Sequence, residues 1–76
     1  MAFNYRKLLG KIVEKFGTQL KFAEAMGMSE SMLSKKLNSS LSFKQSEIHL
    51  ACELLDIAPR EIPLYFFTPD VQHMDQ

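Results

Sequence analysis

Four side chains between Glu30 and Leu37 have the chemistry to read a hydrogen-bonding surface: Glu30, Ser31, Ser34 and Lys35. Met32, Leu33 and Leu37 fall at i, i+1 and i+5, one face of a helix, which leaves those four on the free side. A lysine ammonium donates to guanine O6 or N7, a serine hydroxyl bonds to either base type, and a carboxylate accepts from cytosine N4. A carboxylate also repels phosphate, so Glu30 would select by penalty as much as by attraction. Its other use is to complement the helix dipole near an N-terminus. Gln19, Ser29, Asn38, Ser39 and Ser40 flank this helix with amides and hydroxyls that suit phosphate oxygens, as helix N-termini do. For the loop serines a plain solvated role is the equal alternative.

Other chemistries find little support. His49, Cys52 and Asp56 stand at i, i+3 and i+7, the spacing of a metal triad on a helix, but Cys52 shares a stripe with Ile48 and Leu55 and reads as a small core residue. His49 reads as a surface histidine. We find no Ser-His-Asp set, paired carboxylate site, phosphate-cradling glycine loop or Cys-x-x-Cys, so neither an enzyme nor a cofactor or metal is expected. A single cysteine forms no internal disulfide, and stability must come from the core or a partner chain.

The elements that would position Glu30 to Lys35 lie between Thr18 and Asn38. Thr18 and Ser29 are hydroxyl N-caps for two short helices, and Gly27 stands where the first must stop and the chain must turn. Phe22, Ala23 and Met26 line one face of the first helix, and the small Ala23 lets the second cross close by. Met26, Met28 and Met32 would fill the seam. Two helices joined this way form a helix-turn-helix, whose second helix can enter a DNA major groove.

Gln19, Ala23, Gly27 and Leu33 match the Gln-x3-Ala-x3-Gly-x5-apolar frame of the phage repressor and Cro helix-turn-helix family. With FNYRKLLGKIVEKFGTQLKFAEAMGMSE and ELLDIAPREIPLYFF, the chain resembles the small Cro-like regulators of temperate phages of Gram-positive bacteria over roughly residues 3 to 67. The resemblance implies a compact, all-α, five-helix lambda-repressor/Cro-like DNA-binding domain that regulates transcription in the choice between lytic and lysogenic growth. It implies that Glu30, Ser31 and Lys35 point at base edges and that Gln19 touches phosphate. Lys36 stands where an apolar residue is usual; its stem would lie along the core and its ammonium reach out to phosphate or an acidic partner. The expected partner is double-stranded operator DNA. Some regulators of this type resemble modulators of repression, which bind the phage repressor's DNA-binding domain, so a protein-binding anti-repressor is the alternative.

The rest of the chain supplies a frame. Tyr5, Leu8, Leu9, Ile12, Val13 and Phe16 predict an amphipathic first helix over about 4–16, with Asn4 as N-cap, a Phe3–Leu8 staple and Gly17 as stop. Its outer face carries Arg6, Lys7, Lys11 and Lys15, a solvated face from which some could reach phosphate. The second and third helices span about 18–26 and 29–37. A fourth runs from about 44 to 55, with Ser42-x-x-Gln45 fitting a capping box and Lys44-x-x-Glu47 lacking only the hydroxyl. Pro59 and Pro63 open short turns over about 59–66. Leu64, Tyr65, Phe66 and Phe67 exceed what a small core needs and predict a homodimer interface; packing on helices 1 and 4 is the alternative. A two-fold dimer would set recognition helices about 34 Å apart. The domain is expected to end at 67, with 68–76 a flexible tail.

Net charge is zero, which disfavours a nucleic-acid binder, but its distribution is lopsided. Residues 1–44 carry eight Lys/Arg and three Glu, +5, and residues 45–76 one Arg and six acids, −5. The basic half holds the candidate reading helix. With no long apolar run and no signal-peptide core, membrane association is not expected and a cytoplasmic location is.

Overall fold

The computed structural model describes residues 3–69. Five α-helices follow in order: α1 Arg6–Phe16, α2 Gln19–Met26, α3 Glu30–Leu37, α4 Gln45–Leu55 and α5 Ile62–Phe66, with a 3-10 turn at Pro59–Glu61 before the last. No strand occurs among the described residues; Phe3 and Pro69 form one isolated antiparallel bridge.

Each helix begins and ends where local chemistry dictates. The cap position falls on Tyr5, one residue later than the expected Asn4, whose Oδ1 accepts from the Arg6 N–H at 2.9 Å in a turn just before the helix. Gly17 ends α1 with φ 85°. Thr18 Oγ1 accepts from the Lys21 N–H at 3.2 Å, and Ser29 Oγ from the Met32 N–H at 3.0 Å, as N-caps should. Gly27 is left-handed at φ 76°, and the Met28 N–H reaches back to the Ala23 carbonyl at 3.0 Å. That is a Schellman closure. No heavy atom lies within 4 Å of a Cβ built on Gly27 or on Gly10 in mid-α1, so conformation alone decides what alanine does at each. Gly27→Ala is expected to cost on the order of 1 kcal/mol, left-handed strain partly offset by a stiffer unfolded chain. Gly10→Ala is expected to add about 0.5–1 kcal/mol. Urea unfolding of both variants checks the opposite signs.

Four other boundaries depart from the simplest pattern. The α4 start uses Lys44 and Glu47, not Ser42 and Gln45: Glu47 Oε1 accepts from the Lys44 N–H at 2.8 Å. Only this half of a capping box forms, because lysine has no acceptor. Asp56 ends α4 in the left-handed region at φ 57°, and Ser39 does the same after α3 at φ 69°, where glycine would be expected. Thr68 and Pro69 do not belong to a free tail. The Asn4 N–H donates to the Thr68 carbonyl at 2.7 Å, beside the Phe3–Pro69 bridge. The remainder of the expected tail, 70–76, lies outside the described residues.

The core gathers Leu8 and Ile12 from α1, Phe22 and Ala23 from α2, Leu33 from α3, Ala51 and Leu55 from α4, and Tyr65 and Phe66 from α5. Two stripes are narrower than the periodicity suggested. Val13 is 56% exposed, because it stands 100° around the helix from Ile12, which occupies the centre of the buried face. Met32 is exposed beside the fully buried Leu33, whereas Met26 is buried and Met28 half-buried in the seam.

Candidate interaction face

The α2–turn–α3 unit brings Glu30, Ser31, Ser34 and Lys35 to the surface, all exposed along α3. Gln19 is half-buried at the start of α2. Ser29 is exposed, but its hydroxyl is engaged as the α3 cap. The exposed Asn38 folds back, its Oδ1 accepting from the Ser40 N–H at 3.1 Å. Ser39 is half-buried, and its hydroxyl holds the N-terminal segment. It accepts from the Phe3 N–H and donates to the Phe3 carbonyl, both at 3.3 Å. The left-handed backbone at Ser39 turns the chain so that this clasp can form.

Lys36 does not reach out. Its side chain is 5% exposed and its ammonium points inward, 3.0 Å from Glu47 Oε1 and 2.9 Å from the Ser42 carbonyl, with the Phe43 ring centroid 6.0 Å away. At an inward-facing position a lysine must bring its counter-charge with it, and α4 supplies it. Burial alone would raise the Glu47 carboxyl; the Lys44 N–H and the Lys36 ammonium outweigh that and hold it below the ordinary glutamate range. With Lys36 neutralised internally, the charges left free on α3 are Glu30 and Lys35, which cancel.

A second element adjoins the C-terminal end of α3 and was not anticipated. The α3–α4 loop and both ends of the described chain enclose an aromatic pocket of about 220 Å³, lined by Phe3, Tyr5, Leu41, Phe43, Phe66 and Phe67 among others. Its rings meet edge to face: Tyr5–Phe43 at 5.4 Å, Phe43–Phe66 at 5.3 Å and Phe3–Phe67 at 5.7 Å between centroids. Leu41 and Phe67 stay 40% and 47% exposed at it. The sequence signal was the density of phenylalanines; the meeting of residue 3 with residues 39 and 67 is a long-range fact that no local pattern carries.

The expected dimer patch divides. Tyr65 and Phe66 are buried in the core, which removes them from any interface, while Leu64 and Phe67 remain exposed. Successive helical residues stand about 100° apart, so four in a row cannot share one side: α5 turns Tyr65 and Phe66 inward and leaves Leu64 out, with Phe67 exposed at its C-cap. On α4, His49 is exposed and pairs with Glu53 at 3.4 Å, and Cys52 is half-buried, with burial pushing its thiol up. Among the described residues no group of three or more His, Cys, Asp or Glu could hold a metal ion, and no helix is long and apolar enough to cross a membrane.

A compact five-helix chain with these faces is built like a small phage regulator. The solution structure of the modulator of repression of the temperate bacteriophage TP901-1 from Lactococcus lactis matches it with a TM-score of 0.77 and 51% sequence identity, covering 88% of this chain and 90% of that one. Residues 1–69 match the family described as protein of unknown function DUF739, and the chain belongs to that family. No curated protein matches it.

Proposed function

We propose that this protein is a modulator of repression in the lysis–lysogeny switch of a temperate phage, and that it acts in the bacterial cytoplasm by docking on the phage repressor's DNA-binding domain. The observation that carries this reading is the 51% identity, over 88% of the chain, to a phage modulator of repression. The surface chemistry supports it. An autonomous operator binder needs a cationic reading face, since phosphate neutralisation supplies most of non-specific affinity. Here α3 keeps one free lysine against one free glutamate, because Lys36 is paired inside. Next to that neutral face stand exposed Met32 and Leu41 and the aromatic pocket, a combination suited to a protein partner. The mechanism is occlusion: a repressor covered at its DNA-binding domain leaves its operator. No catalysis, cofactor or metal enters this reading.

Direct operator binding is the second reading. The α2–turn–α3 unit has the capped two-helix form of a helix-turn-helix, and Ser31, Ser34 and Lys35 remain free for base edges, with Gln19 at the start of α2. Titration into operator DNA, with and without the cognate repressor, across a salt series separates the two. The expected result is a stable repressor complex that releases operator, and no shift of DNA by this chain alone. A shift of DNA alone that weakens ~10³-fold from 50 to 200 mM salt would instead indicate six or so phosphate contacts and the Cro-like reading.

A further inference from the structure

On the docking function proposed above, we infer that the aromatic pocket is the anchor point of the contact. It takes one uncharged, apolar side chain of the repressor, and the Tyr5 hydroxyl bonds a polar atom beside that side chain. The pocket is tied to the α3 face. The Lys35 carbonyl accepts from the Ser40 and Leu41 N–H groups at 2.8 and 3.2 Å, so the backbone of an exposed α3 residue holds the exposed Leu41 at the pocket. A partner lying along α3 therefore meets Leu41 and the opening beside it.

Three properties define the occupant. The first is size. The pocket's volume of about 220 Å³ exceeds the ~150 Å³ of a cavity that accepts benzene and falls short of the ~300 Å³ at which drug-sized sites begin. That suits a single side chain of leucine to phenylalanine size, a buried anchor of the kind that carries much of an interface's energy. The second is charge. No Lys, Arg, Asp or Glu lines the pocket, and the Lys36 ammonium over the Phe43 ring is already matched by Glu47 at 3.0 Å. A charged side chain entering there would lose its water and find no counter-charge. The third is one polar contact. Tyr5 lines the pocket and is only 7% exposed, yet among the described residues no group hydrogen-bonds its hydroxyl. A tyrosine this buried ordinarily finds a partner for its O–H. The oxygen is not sealed in the core, where lacking a partner would be costly. Burial pushes the phenol up from its ordinary value, which keeps it a neutral donor.

The test has two arms. Calorimetry measures the cognate repressor's DNA-binding domain against the full-length parent, Tyr5→Phe and Leu41→Ala. Tyr5→Phe removes a hydroxyl that the fold does not use, so its urea midpoint should match the parent while repressor affinity falls about two- to tenfold. Leu41→Ala should weaken binding by about fivefold or more. Parental affinity in both variants would overturn the anchor while leaving the docking function standing. No complex with the parent would remove the docking function and, with it, the repressor as occupant. The second arm needs no repressor: an NMR titration of the full-length protein with N-acetylphenylalanine amide, beside the charged N-acetylglutamate amide. The first probe should shift the amides of Ser39, Leu41, Ser42 and Phe43, less so in Tyr5→Phe, and the second should shift none. Equal shifts from both probes, or none from either, would overturn the assignment. So would movement of these amides on dilution alone, which would make the occupant a second copy of this chain.

Discussion

Phe66→Ala is expected to lose about 3–5 kcal/mol of folding stability, whereas Phe67→Ala one residue on should lose no more than roughly 1.5 kcal/mol. Phe66 is 1% exposed, packs edge-on against Phe43 at 5.3 Å and closes the core over α1. Its removal combines lost transfer energy with a cavity that α5, five residues long and braced by two prolines, is poorly able to collapse into. Phe67 is 47% exposed and has one clear aromatic neighbour, Phe3 at 5.7 Å. A domain of this size has a total stability on the order of 5–10 kcal/mol, so the first change takes away much of it. Urea unfolding followed by circular dichroism measures both, and equal midpoints would contradict the burial pattern. The contrast also bears on assembly, because Phe66→Ser would weaken any dimer by unfolding the subunit. Only variants at Leu64 and Phe67 test that surface directly.

The elements legible in the sequence are those fixed by their own nearest residues. Thr18, Ser29, Gly17 and Gly27 act where their side chains, or lack of one, require. The inward placement of Leu8, Ile12, Phe22, Ala23 and Leu33 follows from helical period. What stayed hidden depends on contacts distant in the chain. Asp56 and Ser39 occupy left-handed positions usual for glycine; each also makes a tertiary contact, to Lys15 and to Phe3. Tyr65 and Phe66 sit in a helix too short for periodicity to separate core from surface. The candidate site was half legible for the same reason. Glu30, Ser31, Ser34 and Lys35 follow from the face that Leu33 leaves free. The direction of Lys36 depends on Glu47, which the α3–α4 loop brings back to it. Two adjacent lysines on one helix therefore have opposite fates, and the charge read along α3 was too high by one.

Glu47→Ala is expected to cost roughly 3 kcal/mol at neutral pH, because it strands a nearly buried ammonium, and Lys36→Ala should cost less, because the Glu47 carboxylate is 20% exposed and keeps the Lys44 N–H. The double variant K36M/E47L should recover most of that loss. Replacing both partners of a buried pair with apolar side chains of similar volume is often neutral or better. Non-additivity in this cycle is the signature of the pair. Acid titration gives an independent reading. Glu47 is held below its ordinary value in the folded chain, so its contribution is fully present above the usual glutamate range and is lost as pH falls through the depressed folded value. Glu47→Gln should therefore be less stable at pH 7 and lose less between about pH 5 and pH 2. The same cycle reaches the interaction face. The Lys36 ammonium also holds the Ser42 carbonyl and lies over Phe43, so it anchors the loop that carries Leu41 and one wall of the aromatic pocket. If the repressor docks there, K36M/E47L should bind it more weakly although the domain is folded and most of its stability is restored. A double variant with restored stability and parental affinity would limit the pair to a structural role.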